Sequence, residues 1–134
     1  MFFNRHKAAL EELQHTVFDQ AAMLEAINRS MAVIEFDLDG VVLRANDNFL
    51  KTMGYTAAQA IGQPHRHFCT AEFGRSAQYT ELWSRLKNGQ FQSGTFERVN
   101  SKGQPIWLEA SYNPIKDASG RVIKVVKYAM DVTS

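Results

Sequence analysis

Within this 134-residue chain the stretch His65-Arg66-His67 is the most suggestive of chemistry. A neutral imidazole is a good ligand for haem iron and other metals. Two histidines two residues apart share one side of a strand but fall on nearly opposite sides of a helix, so at most one of them points into a pocket. His65 or His67 is therefore a candidate axial haem ligand. The competing reading is an imidazole at the surface or satisfied by hydrogen bonds. Zinc is not indicated, because there is no H-E-x-x-H, Cys69 is the only cysteine, and His6 and His15 lie on a remote helical stretch. The chain also lacks G-x-S-x-G, a P-loop and a Cys–His pair at recognisable spacing, so it reads as a binding module and not as an enzyme.

The elements that position these groups are clearest at the C-terminal end. Ile106 to Ile115 and Arg121 to Asp131 are two β-prone runs separated by Lys116-Asp-Ala-Ser-Gly120, the pattern of an antiparallel hairpin. Both runs carry apolar residues at even and odd positions, which predicts apolar cover on each face. Residues 7 to 28 contain no Gly or Pro and are rich in helix formers. Leu10, Leu13, Val17, Leu24 and Ile27 recur at three- and four-residue spacing, interrupted by Gln20. That stripe predicts an amphipathic helix, which lies on its own domain, pairs with a second subunit, or does both.

Between these ends the period changes repeatedly. Ala32 to Leu38 and Val41 to Ala45 read as strands around Asp39-Gly40. Asn46-Asp-Asn48 caps a helix over Phe49–Met53, and Thr56 caps a further turn that Gly62 stops. His65 to Cys69 is irregular or briefly helical, Glu72 to Lys87 is expected as one helix, and Phe91 to Val99 is a third strand. The order predicts an α+β domain with helices gathered on one face of a five-stranded antiparallel sheet and a ligand-sized space between them. The division is an N-terminal helix over 1–30 and a domain over 31–134.

Bulk composition is that of an ordinary globular protein, 45% hydrophobic and 22% charged. A net charge of +1 gives no electrostatic case for nucleic acid. The apolar runs are far shorter than the ~20 residues of a membrane span, and the first residues lack a secretory signal core. One cysteine fits a reducing compartment. A cytoplasmic location is expected.

Glu35-Phe-Asp-Leu-Asp-Gly40, Asn46-Asp-Asn-Phe49, Gly54-Tyr55, Ile61-Gly62, Gly103 to Trp107, Asn113-Pro-Ile115, Asp117 to Gly120 and Asp131-Val-Thr133 together resemble the PAS (Per-Arnt-Sim) sensor domain over residues 30 to 133. Gly62-Gln-Pro-His65 and Trp83, Leu86 and Gly89 are most similar to PAS domains of cytoplasmic methyl-accepting chemoreceptors, the branch of the aerotaxis and biofilm-dispersion receptors. The resemblance implies a sensing module of a chemotaxis-type transducer that binds a small ligand and relays the change through the sheet to flanking helices. Its alternative is a ligand-free dimerisation module. It further implies a homodimer through the N-terminal helix and a signalling domain lying beyond this chain.

The resemblance also proposes sites. In the light-oxygen-voltage branch the inward side of the last strands contacts a flavin; here Arg98, Leu108 and Ala129 occupy the positions of its flavin-bonding amides, and His65 that of its reactive cysteine. These departures argue against a flavin photosensor. The same parity turns Phe96, Arg98, Leu108, Ala110, Tyr112, Val125, Lys127 and Ala129 inward, and Trp107, Glu109, Ser111, Tyr128 and Met130 outward, where the N-terminal helix is the expected cover. Arg98 and Lys127 are then buried cations that call for an anionic partner or snorkel to the rim. Resemblance to the aerotaxis receptor implies FAD, with Asn46 and Trp83 matching its pattern. Candidate cofactors are therefore haem b first and FAD second, with His65, His67, Asn46, Trp83, Arg98, Leu108, Tyr112 and Lys127 as contacts. Trp107, Tyr128 and Asp131 are the expected relay residues, Asp131 tying the last strand to the segment that leaves the domain.

Overall fold

The computed structural model describes residues 2–133. It divides into two compact units, Met1–Ser30 and Met31–Ser134. The first is a single helix, α1 (Phe2–Ser30). Along its apolar stripe Leu10, Leu13, Val17 and Leu24 are each more than half exposed, and Ile27 is 36% exposed.

The second unit is built on one antiparallel sheet in the order β2-β1-β5-β4-β3. The strands are β1 (Ala32–Phe36), β2 (Val42–Ala45), β3 (Gln92–Val99), β4 (Pro105–Lys116) and β5 (Val122–Asp131). Between β2 and β3 come α2 (Asp47–Met53), α3 (Ala57–Ala60), a 3-10 turn at His65–Phe68, α4 (Ala71–Gly74) and α5 (Ala77–Lys87). The N- and C-terminal strands meet at the middle of the sheet, because β5 pairs with β1 on one side and β4 on the other. Two-residue periodicity then sends one side of each strand into the core. Ile34, Phe36, Leu108, Tyr112, Val125 and Ala129 are nearly inaccessible.

The turns follow from local chemistry. Asp37 Oδ1 accepts from the Asp39 and Val41 amides, and Asp117 Oδ1 accepts from the Ser119 and Arg121 amides. Each three-residue step ends on a glycine in the left-handed region, Gly40 at φ +79° and Gly120 at φ +86°. Pro114 is tolerated inside β4 because the pairing of β3 with β4 ends at Tyr112, so no neighbour on that side needs its missing amide.

One expected element differs. The helix predicted over 72–87 is two helices, α4 and α5, separated at Arg75-Ser76. Ser76 is in extended geometry and its Oγ accepts from the Tyr79 amide, so it starts a new helix and does not continue the old one.

Candidate functional site

His65 is positioned by a strap. The Gly62 amide donates to Val42 O, the Val42 amide to Gln63 O, and the His65 amide to Gly40 O at 2.7 Å. Pro64 cannot donate and sets an extended entry into the 3-10 turn, which carries the imidazole beneath the helices. The side chain is 1% exposed.

Around it lies a polar chain inside an apolar core. Arg98, from edge strand β3, donates through Nη2 to the Tyr112 hydroxyl at 2.9 Å. That hydroxyl lies 2.9 Å from His65 Nε2, and His65 Nδ1 lies 3.3 Å from the Tyr79 hydroxyl on α5. Arginine has only donors, so the Tyr112 oxygen accepts from it and can offer its own proton to Nε2. In that tautomer the imidazole proton sits on Nδ1 and faces Tyr79. This directed chain runs from the sheet to the helical layer.

Charge is unbalanced along it. Arg98 and Lys127 are each 2% exposed, and no ion pair among the described residues includes either of them. Lys127 Nζ lies 5.0 Å over the Tyr112 ring. The Arg98 guanidinium sits between the Phe73 and Phe96 rings at 5.3 and 5.1 Å. Burial, reinforced by the Arg98 charge, holds the Lys127 amine well below its ordinary 10.5. Burial, joined by the neighbouring Lys127 and Arg98 groups, holds His65 well below 6.5, so it is the neutral imidazole. Burial pushes the Tyr112 phenol up to about 12, against the pull of Arg98. The Cys69 thiol lies 3.7 Å from both His65 Nδ1 and the His65 carbonyl, and burial raises it.

The burial pattern follows the expected parity. Arg98, Leu108, Ala110, Tyr112, Val125, Lys127 and Ala129 are buried and Phe96 is half-buried, whereas Trp107, Glu109 and Met130 are exposed and Ser111 and Tyr128 half-buried. The structure thus gathers His65, Trp83, Arg98, Leu108, Tyr112 and Lys127 in one interior. Two expected contacts are elsewhere. His67 is exposed, 5.5 Å from the Tyr55 ring. Asn46 is the cap of α2 and a clamp on β1: its Oδ1 accepts from the Phe49 and Val33 amides, and its Nδ2 donates to Met31 O.

Haem does not fit these histidines as positioned. Both ring nitrogens of His65 already meet phenols, and the rings of Phe36, Tyr79, Trp83 and Tyr112 lie within 5.2 to 5.6 Å of it, leaving no face for a porphyrin. His67 stands outside the core. The expectation of haem as the first candidate is therefore withdrawn. For FAD, Asn46 is committed to the backbone, while Trp83 retains an indole N–H without a hydrogen bond of ordinary geometry. Its proximity nonetheless lowers the Tyr79 phenol slightly against the larger upward push of burial. Trp83 lines a cleft of about 610 Å³ with Tyr79, Arg66, Lys87 and Asp39.

Two contributors are absent from the sequence-based expectations: Tyr79, and Phe73, which with the inward Phe96 flanks Arg98. Cys69 stands four residues after His65, close enough in sequence for a local contact that the expectations did not include. The Tyr79 contact spans fourteen residues and a helix break, and no local pattern reports it. At the exit, Asp131 Oδ1 accepts from the Thr133 amide. The Val132 amide donates to Trp107 O, and the Trp107 amide to Thr133 Oγ1.

Comparison with known proteins places this arrangement. A family model described as the PAS fold matches residues 25–134. The chain is 49% identical over 129 residues to the biofilm dispersion protein BdlA of Pseudomonas aeruginosa strain PAO1, covering 96% of this chain and 31% of that protein. It is 30% identical over 79 residues to the aerotaxis receptor of Escherichia coli strain K12, covering 59% of this chain and 15% of the receptor. The chain thus spans about a third or less of the length of these relatives. The PAS domain of a protein from Colwellia psychrerythraea superposes with a TM-score of 0.75 at 23% identity, covering 87% of this chain and 98% of that one.

Proposed function

The chain belongs to the PAS-fold family, and on that premise we propose that it is the sensing module of a chemotaxis-type transducer. The reading rests on one observation, the buried chain Arg98–Tyr112–His65–Tyr79 that links β3 and β4 to α5 through the core. A ligand that displaces His65 from this chain breaks its hydrogen bond to Tyr112 on the sheet side and to Tyr79 on the helix side. It therefore biases two arrangements of the domain by preferring one of them. The sheet's outer surface, with Trp107 and Tyr128, and the exit at Asp131 carry the change to flanking helices. The stripe of α1 pairs with its equivalent in a second copy, the role that its exposed leucines support. FAD stands ahead of haem among coloured groups, with Trp83 as its contact; a colourless ligand at the polar chain is the leading reading. A module on the cytoplasmic side is part of this proposal, and no helix of the described residues is long and apolar enough to cross a membrane.

Mass spectrometry of a denaturing extract of the purified chain, with its absorption spectrum before extraction, tests the proposal. A stoichiometric small molecule supports sensing by binding. An empty extract and a featureless spectrum, with no response to added ligands, favour the ligand-free dimerisation module. That second reading has its own support, since both nitrogens of His65 are satisfied by the protein itself.

A further inference from the structure

We infer that the interior is built to take a small carboxylate ligand, with the guanidinium of Arg98 and the side-chain nitrogen of Lys127 as its two recognition groups. The inference rests on the sensing reading above and names the chemical class of its ligand.

Two basic groups from different strands converge on Tyr112, and among the described residues neither has an acid. The acids nearest in sequence do not reach them: Glu97 belongs to the outward parity of β3, and Asp131, four residues after Lys127, is exposed at the end of β5. Arg98 cannot escape by losing its proton. Two hydrogen bonds, Nη1 to Glu97 O and Nη2 to the Tyr112 hydroxyl, use two of its five donors, and its buried Nε has no partner. Proteins seldom bury an arginine without a carboxylate, because desolvation of an unpaired ion is costly. An anion arriving at this place meets donors already oriented and already stripped of water.

The surroundings select the kind of anion. A planar carboxylate matches the edge of a guanidinium, where two parallel N–H donors meet two oxygens. The plates of Phe73 and Phe96 suit an apolar body attached to that head group. Proton movement follows binding: with a carboxylate beside it, Lys127 regains its charge, which its buried surroundings otherwise disfavour. The cleft that Tyr79 lines is basic too. Arg66 and Lys87 line the 610 Å³ cleft against one acid, Asp39, and Tyr79 joins that cleft to the imidazole of His65.

The test titrates the full chain with sodium acetate, propionate and benzoate against sodium chloride at matched ionic strength. It follows the melting temperature and the Arg98 Nε–H resonance. At least one carboxylate is expected to raise the melting temperature above the chloride control and to move that resonance. Lys127→Met and Arg98→Met are expected to weaken the same titration by about tenfold or more. Lys127→Met keeps the length of the side chain without its charge, so its melting in chloride reports whether it has folded. Should no carboxylate exceed chloride in either readout, or should folded Lys127→Met bind as the parent does, the carboxylate assignment is overturned. Native mass spectrometry separates the two levels. A bound neutral molecule overturns the carboxylate and keeps the sensing module, whereas no bound molecule and no response to any salt overturns both.

Discussion

Tyr112 is the residue on which the interior turns. Its hydroxyl accepts from Arg98 and bonds His65 Nε2, so Tyr112→Phe strands a buried guanidinium donor and a buried ring nitrogen together. The expected loss is about 1–3 kcal/mol in urea denaturation, more than a surface hydroxyl costs. His65 supplies a pH signature. It is neutral in the fold but titrates near 6.5 in the unfolded chain, so below that value the unfolded state binds the extra proton. Stability therefore falls as pH drops through 6.5, toward a limiting slope of about 1.4 kcal/mol per pH unit for one proton. Denaturation at graded pH should show this slope in the parent and a shallower one in His65→Asn. Lys127 carries the same sign on the alkaline side, between its depressed value and 10.5. Tyr112 reverses it, because the unfolded phenol ionises from 10.0 while the folded one holds its proton to about 12. The buried, upward-shifted thiol of Cys69 should resist alkylation in the native protein and react fully in denaturant.

At the scale of elements, the short helices are held by their ends more than by their lengths. Gly54 closes α2 at φ +78°, where a Cβ would stand 2.5 Å from the Ser101 hydroxyl. The Ser101 amide meanwhile donates to Met53 O, which ties α2 to the turn between β3 and β4. Gly54→Ala is expected to cost about 1–3 kcal/mol from backbone strain and the close contact. The same change made in Ser101→Ala should cost less, since only the backbone part remains; a thermal denaturation cycle over the four proteins checks this. Most of these boundaries were legible in the chain, because Asn46, Thr56, Gly54 and the Asp-x-x-Gly turns each satisfy backbone groups within a few residues. The break between α4 and α5 was not. A serine in a helix-rich run reads as a tolerated interior residue until the backbone turns extended at Ser76 and frees its hydroxyl to cap.

For the whole molecule, the division at Ser30 and Met31 predicts that residues 31–134 fold without α1. The shortened chain should keep its cooperative urea transition in circular dichroism. Under the pairing proposed for α1, light scattering after size exclusion should show a dimer for the full chain and a monomer for the shortened one. An unchanged mass would remove α1 as the pairing element. The sequence by itself determined the strands, the turns and the face that each strand presents, because alternation and capping are short-range and every residue carries its own signal. It also determined the family, through motifs spread along the chain. Only the tertiary structure decided what stands opposite what. It seated His65 between two phenols and sent His67 to solvent. It turned Asn46 from a cofactor contact into a clamp and left Arg98 and Lys127 without an acid. These outcomes depend on distances between residues remote in sequence, set by how the helical layer closes on the sheet.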